Sequence, residues 1–564
     1  MQHRCGKDRG VDAINNTPPK GFLARAKDAV PSWWYGAVLF AALTYLFGKG
    51  FTLAGIFVFS VCMLIWDTIE VGRNDAANLI NAVYGARLMT RKRAVILAGI
   101  AVIIGASLSG SVIETARKGI FDPTKISLEQ AAAIYISVYL VDTVLLYGYS
   151  AFGMPVSTTA CLVFELIGAA VAMSFIANTD NLVNWSKASS VVLAIIVSIF
   201  LSGFSSFLVQ RVVRGVIGQK TEDLRTMKIH GAWIGGGIAS GMVFFMIIKG
   251  MKKVPGIDTL NALIHKTPMG PTFCVFGLWF FFAGVISVFL MRYGKRAAVK
   301  VFPVLAVCGM LSMAFAFGQN DLANCASPGL ATISIIQNWD AGIKVASESR
   351  IDQWQLFVCG ILLFMGMRTK NATRVTKAAV NMGSHADRVR LYAPGWCLTI
   401  GEWLARRSNR EESLVSTYAP TRQASRQHYD ALRATVIMGV SASVIAIASS
   451  FKMPVSTTYV TFAALVGTGM GDRIFQKGDA GLKIARSIWV VFSWFFAAFI
   501  AATFTALVCG IVYQFGMIGL VVVLGINLAL RQEFKRRGDE QSRRTREEML
   551  ERAYPERYAT EEDY

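Results

Sequence analysis

Charge is scarce in this chain, and several kinds of chemistry are missing with it. Of the 564 residues, 16% are charged and 54% are hydrophobic, where soluble domains carry about a quarter charged residues. Mean hydropathy is +0.46. A solvated domain around a single core is therefore excluded. The nine cysteines show no Cys-x-x-Cys or other metal spacing. Most, such as Cys62, Cys161, Cys308 and Cys359, sit inside apolar runs and read as small packing residues in a reducing context. No nucleophile–base arrangement, metal motif or nucleotide loop is present, which argues against an enzyme. A secretory leader is not expected either. The first apolar run begins only at Trp33, behind Arg4, Lys7, Arg9, Lys20, Arg25 and Lys27, and no small-residue cleavage site follows. Trp33, Trp34 and Tyr35 read as interfacial anchors.

Long apolar runs are abundant. "FTLAGIFVFSVCMLIW", "AVILAGIAVIIGASLSGSV", "VVLAIIVSIFLSGFSSFLV", "WVVFSWFFAAFIAATFTALVCGIV" and "GMIGLVVVLGINLAL" each read as a membrane helix. At ~20 residues per span the chain holds about twelve to fourteen candidates. The fold class expected is an all-α polytopic membrane protein with about twelve transmembrane helices. The net charge of +21 is clustered in the N-terminal tail, in Arg211 to Lys228, in Met367 to Arg433 and in "RQEFKRRGDEQSRRTR". The positive-inside rule places these clusters in the cytoplasm. Both termini are then cytoplasmic, and the number of crossings is even. A multi-pass protein of the cell (plasma or inner) membrane is expected. In such a chain basic charge speaks for topology and for anionic lipid headgroups rather than for nucleic acid.

The chain also repeats itself. "VGRNDAANLI" from Val71 and "FGQNDLANCA" from Phe317 share Gly-x-Asn-Asp-x-Ala-Asn, and "MPVSTT" occurs from Met154 and again from Met453. Asp75 precedes Ser157 by 82 residues and Asp321 precedes Ser456 by 135. The polar stretch from about Met367 to Ala431 accounts for most of the difference. Paired apolar runs precede each Asn-Asp, Trp33 to Phe47 then Phe51 to Trp66, and Thr272 to Met291 then Val301 to Phe317. Repeated halves with interrupted helices at matching places are the pattern of a secondary transporter, and the interruptions point at its binding site. The organisation expected is a cytoplasmic tail (1–32), a first membrane repeat (33–250), the start of a second (251–366), a cytoplasmic Arg-rich loop (367–430), the rest of the second repeat (431–530) and a charged cytoplasmic tail (531–564).

Each motif suits an ion. Proline cannot continue a helix but fits the first turn of a new one. The N–H groups behind Pro155 are then free, at the positive end of a helix dipole. Ser157, Thr158 and Thr159 add hydroxyls, and Ser456, Thr457 and Thr458 repeat them. Two such N-termini facing each other would cradle a tetrahedral oxyanion. A lone copy is better explained as a helix cap; the duplication favours the cradle. Asp75 and Asn78 share one helical face with Asn74, as Asp321 and Asn324 do with Asn320. Gly72 and Gly318 are expected to allow a local break there. A carboxylate, amide oxygens and freed carbonyls suit a hard cation such as Na⁺, and a carboxylate can equally carry a proton.

These paired motifs resemble the inorganic phosphate transporter (PiT) family over roughly Phe51 to Leu530, and "VIETARKGIFDP" is similar to that family's segment around Glu114. The resemblance implies an inverted-repeat fold, phosphate held between the Ser-Thr-Thr segments with Asn74 and Asn320, and cations beside Asp75, Asn78, Asp321, Asn324 and Glu114, with Na⁺ at Asp75 and Asp321. It implies symport driven by Na⁺ or H⁺ with no other cofactor. Inorganic phosphate, the coupling ion and membrane lipid are the partners expected, with room for a homodimer. The chain departs from the family at Arg73, where a small residue is usual, at Ala160 and Tyr459, where histidine is common, and at Val102, where a glutamate is common. Asp67, Glu70, Asp142 and Glu165 lie in or near apolar runs of the first half alone. Arg73 is expected to pair with Glu70 or Asp67, and Asp142 and Glu165 are open between proton carriers and a wet seam. A sulfate permease of the same fold, or a phosphate-sensing receptor or scaffold, are the competing functions.

Overall fold

The computed structural model describes residues 53–109, 120–251, 256–266, 269–337, 352–386, 389–408, 430–451, 453–476 and 478–553. Among them the chain is helical, with one isolated β-bridge between Phe121 and Val183. The helices are α1 (Leu53–Gly85), α2 (Arg91–Ala106), α3 (Leu128–Ala151), α4 (Thr158–Ile176), α5 (Trp185–Ile217), α6 (Leu224–Ile248), α7 (Ile257–Ile264), α8 (Gly270–Tyr293), α9 (Lys295–Gln337), α10 (Gln353–Met367), α11 (Lys370–Met382), α12 (Gly395–Ser408), α13 (Ala431–Ser450), α14 (Thr457–Gly471) and α15 (Ala480–Ala553). Nine of these, among the described residues, are long and apolar enough to cross a membrane. The last is two helices joined at Gly516, whose φ of 54° no ordinary helical residue adopts. The first expected span, Trp33 to Phe47, and Glu114 lie outside the described residues.

Short polar signals set the starts. Ser127 and Gln130 close a capping box on α3, and Asp430 caps α13 through the N–H of Arg433. Proline sets the breaks. Between α3 and α4 the chain passes through Pro155, and between α13 and α14 through Pro454, so α4 and α14 each begin at a threonine inside the protein.

The Asn-Asp segments behave differently from the expectation. α1 and α9 run through Gly72 and Gly318 without a break. The glycines serve close approach instead. A Cβ at Gly72 would stand 2.1 Å from the Leu363 carbonyl oxygen of α10, and one at Gly318 would stand 2.3 Å from the Val102 oxygen of α2. Packing had a stronger claim on these glycines than backbone freedom did.

Residues 367–430, read from their charge as a loop, contain α11 and α12. α11 buries Ala372, Val375, Thr376, Ala379 and Val380, a stripe of helical period. Val375 and Ala379 pack on Ala77 of α1. Residues 531–553, read as a tail, continue α15.

Candidate functional site

Two helix starts and two mid-helix motifs meet in the interior. Asn74, Asp75 and Asn78 come from α1, and Asn320, Asp321 and Asn324 from α9. Ser157, Thr158 and Thr159 open α4, and Ser456, Thr457 and Thr458 open α14. None of these twelve is more than 4% exposed, so the site is closed on both sides.

Its bonding comes in matched pairs. Asn74 Nδ2 donates to the Val156 carbonyl at 2.7 Å, and Asn320 Nδ2 to the Val455 carbonyl at 2.6 Å. Asn78 donates to Asp75 at 2.9 Å, and Asn324 to Asp321 at 3.0 Å. Each carboxylate then receives a hydroxyl from its own half and one from the other. Asp75 accepts from Thr158 at 3.2 Å and from Thr458 at 2.8 Å. Asp321 accepts from Thr457, and from Thr159 at 3.4 Å. The second threonines share that single hydroxyl proton with a carbonyl across the halves, Thr458 with Val156 and Thr159 with Val455, both at 3.1 Å. Asn78 reaches Thr458 at 2.9 Å, and Asn324 reaches Thr158 at 3.0 Å and Thr159 at 2.9 Å.

The serines do something else. Ser157 Oγ accepts from the Ala160 N–H at 3.0 Å, and Ser456 Oγ from the Tyr459 N–H at 3.1 Å. Both are N-caps. The threonines, not the serines, carry the contacts to the charged groups. Helix geometry leaves the N–H groups of Thr158, Thr159, Thr457 and Thr458 without intrahelical acceptors, and the positive ends of two helix dipoles converge here.

Oxygen dominates the site. Beyond the carboxylates, the Asn74 and Asn324 Oδ1 atoms are buried with no hydrogen-bond partner. Pro328 lies inside α9 and removes the amide that would bond the Asn324 carbonyl. One carboxylate with neutral oxygens in each half suits a monovalent hard cation better than a divalent one. Among the described residues no group of three or more Asp, Glu, His or Cys is placed to hold a metal.

Several participants escape the motif reading. The Tyr139 hydroxyl is spliced into α9, donating to the Cys325 carbonyl at 2.8 Å and accepting from the Gly329 N–H at 2.6 Å. Tyr459 stacks on Trp494 with ring centroids 3.9 Å apart, and the indole donates to the Pro155 carbonyl at 3.2 Å. Arg73 forms a 2.7 Å ion pair with Glu70, as the three-residue spacing predicts. A second cation, Arg531, shares that carboxylate and donates to the Thr143 carbonyl at 2.9 Å. The guanidinium of Arg531 also lies 4.2 Å from the centre of the Tyr147 ring. Asp67, Asp142 and Glu165 are buried, and both oxygens of Glu165 lack a partner.

A polytopic helical body enclosing such a duplicated, closed polar site is that of a membrane transporter. The sequence pattern described as the phosphate transporter family matches residues 71–383, a stretch holding both Asn-Asp motifs and the first Ser-Thr-Thr. The chain belongs to that family. A "Putative phosphate permease" of Thermococcus kodakarensis is 28% identical over 455 residues, 77% of this chain and 92% of that protein. One of the same description from Haemophilus influenzae is 24% identical over 446 residues, covering 76% and 92%. A solved structure titled "The sodium-dependent phosphate transporter" superposes with a TM-score of 0.59 at 20% identity, over 82% of this chain and 99% of its own. That likeness is one of fold.

Proposed function

We propose that this chain is a symporter that moves inorganic phosphate together with Na⁺, with Asp75 and Asp321 each binding one cation and the N-termini of α4 and α14 binding the anion. The observation that carries this reading is the pair of buried carboxylates, each tied to threonines from both helix starts. An oxyanion approaching two bare carboxylates is repelled by about 4 kcal/mol per contact, for unit charges roughly 4 Å apart at a dielectric of about 20. A cation on each aspartate removes that repulsion. It also draws the carboxylates off the threonine hydroxyls, freeing those donors for the anion. Coupling then follows from charge, because phosphate binds well only after the cations. The neutral oxygens beside each carboxylate, and the sodium dependence named for the structural neighbour, favour Na⁺.

One observation supports H⁺ as a second reading. The carboxyls of Asp67, Asp142 and Glu165 are buried near one another, and a cluster of carboxyls inside the membrane can carry a proton. Uptake of labelled phosphate into proteoliposomes decides between the two. An imposed Na⁺ gradient at equal pH should drive accumulation. Accumulation under a pH gradient without Na⁺ would transfer the coupling to protons, and accumulation of sulfate in place of phosphate would remove phosphate as the cargo.

The clustered basic charge further supports cytoplasmic termini and a cytoplasmic face for α11 and α12. Labelling of single cysteines in α12 from outside intact cells would reverse that orientation.

A further inference from the structure

A cavity of about 310 Å³ lies between the C-terminal end of α3, α11, the start of α15 and the extension of α15 near Ser542. None of its lining residues belongs to the transport site. Five of them are cations: Lys370, Arg374, Lys377, Arg390 and Arg486.

The cations are held in two ways. Arg486 is only 3% exposed, and its guanidinium donates to carbonyls, Tyr392 at 2.9 Å and Gly153 at 3.0 Å. Among the described residues it forms no ion pair. Buried guanidinium without a carboxylate is costly unless an anion completes it. Arg390 is anchored to α15 through the Ser542 backbone and hydroxyl. Burial, then the charges of Arg546 and Arg374, push Arg390 below the ordinary arginine range, a sign of crowded like charge. Of the five, among the described residues, Arg374 alone meets a carboxylate, that of Asp539. Lys370 and Lys377 stand exposed at the rim.

We propose that this cavity is a second anion site, taking a ligand with two or more phosphate groups, either a condensed phosphate or the headgroup of a multiply phosphorylated lipid. The charge count selects this class. One orthophosphate cannot use cations on three sides of the cavity, while a chain of phosphates or a bisphosphorylated ring spans from buried Arg486 to the lysine rim. Bidentate arginine contacts suit such groups. The site borders the transport machinery, since the Gly153 carbonyl that holds Arg486 lies two residues before Pro155.

The test is isothermal titration of the purified full-length protein, in detergent free of anionic lipid, with tripolyphosphate and with orthophosphate. Tripolyphosphate should bind at least tenfold more tightly than orthophosphate. The double variant Lys370→Gln/Lys377→Gln should lose at least tenfold of that affinity while keeping its melting temperature and elution volume. Arg486→Gln risks misfolding, so the rim variant decides. Asp75→Asn should leave tripolyphosphate affinity unchanged, which separates this site from the transport site. A lipid arm identifies the source. Neutral phosphatidylcholine vesicles containing phosphatidylinositol bisphosphate should bind the wild-type protein and release it to tripolyphosphate if the headgroup is the ligand. Equal affinity for orthophosphate and tripolyphosphate, unchanged binding in the double variant, or binding of neither tripolyphosphate nor the bisphosphate vesicles, would overturn the proposal.

Discussion

The two copies of the site, offset by 246 residues from Asp75 to Asp321, share their bonds but not their surroundings. Asn-to-carbonyl, Asn-to-Asp and Thr-to-Asp contacts recur almost bond for bond. Around the first copy, however, stand Asp67, Glu70 and Arg73, where the second has Met313, Ala316 and Gln319. Around the second, Pro328 and the hydroxyl of Tyr139 open the helix just beyond the motif, whereas α1 continues regularly to Gly85. The shared part is the set of contacts on which the proposed binding of two cations and one anion rests. The unshared part is what each copy needs in order to be held in place, by an ion-pair network in one case and by a distorted helix in the other.

Substitutions can break this comparison at several depths. Asp75→Asn and Asp321→Asn should each reduce phosphate uptake by at least ~100-fold, since each removes a buried charge contact of about 3 kcal/mol or more. Initial uptake rates at saturating Na⁺ check this. A working Asp321→Asn beside a dead Asp75→Asn would mean that only one copy functions. Next in size, Glu70→Gln should cost about 3–5 kcal/mol of stability by leaving Arg73 and Arg531 without their shared carboxylate, read as a fall in melting temperature. Arg73→Gln, which installs the second copy's residue, should cost less than half of that because Arg531 still meets Glu70. If the two cost the same, Arg73 is the essential partner.

The cross-half threonines come third. Thr458→Val and Thr159→Val each remove a hydroxyl that passes from a carboxylate to the anion when Na⁺ binds; a hydrogen bond to a charged group is worth about 1.5–3 kcal/mol, so phosphate affinity should fall roughly tenfold to a hundredfold. Their effects should be coupled rather than additive if both serve one anion, and a double-mutant cycle on the phosphate half-saturation reads this. Tyr139→Phe leaves the Gly329 N–H and the Cys325 carbonyl unmet, at about 1–3 kcal/mol, and a thermal melt reports it. Ser157→Ala and Ser456→Ala should do least. An N-cap is worth about 1 kcal/mol, so phosphate half-saturation should shift about fivefold at most. A serine variant that outweighs its threonine neighbour would return the direct contact to the serine.

Much of this site was legible in the sequence, because its residues lie in two short repeated motifs and local rules govern them. New helices do begin shortly after Pro155 and Pro454, but each proline stands two residues before the N-cap serine and not in the first turn; the Glu70–Arg73 pair followed from helical spacing. The rest depends on what meets across the fold. Arg531 lies 461 residues from Glu70, and no local pattern links them. The exchange of threonines between halves depends on how α4 and α14 cross. The single-copy capping role, set aside because the motif is duplicated, is the one both serines adopt. α11 was hidden by its charge, although Ala372, Val375, Thr376, Ala379 and Val380 carry a helical period that a test of periodicity would have found.

The glycine contacts carry a mechanical consequence. Gly72 of α1 lies against Leu363 of α10, Gly366 of α10 against Ile69 of α1, and Gly105 of α2 against Phe315 of α9, each close enough that a Cβ would come within 2.1 Å of a carbonyl oxygen. Gly360 of α10 abuts α2 in turn. The two aspartate-bearing helices are thus bolted to one chassis. α4 and α14 are fastened elsewhere, through Gly168 to Ala502 of α15 and through Gly467 to Gly203 of α5. Any opening of the closed site that spares these joints must leave the aspartates still and swing α4 with α15, or α14 with α5, like jaws on a fixed anvil.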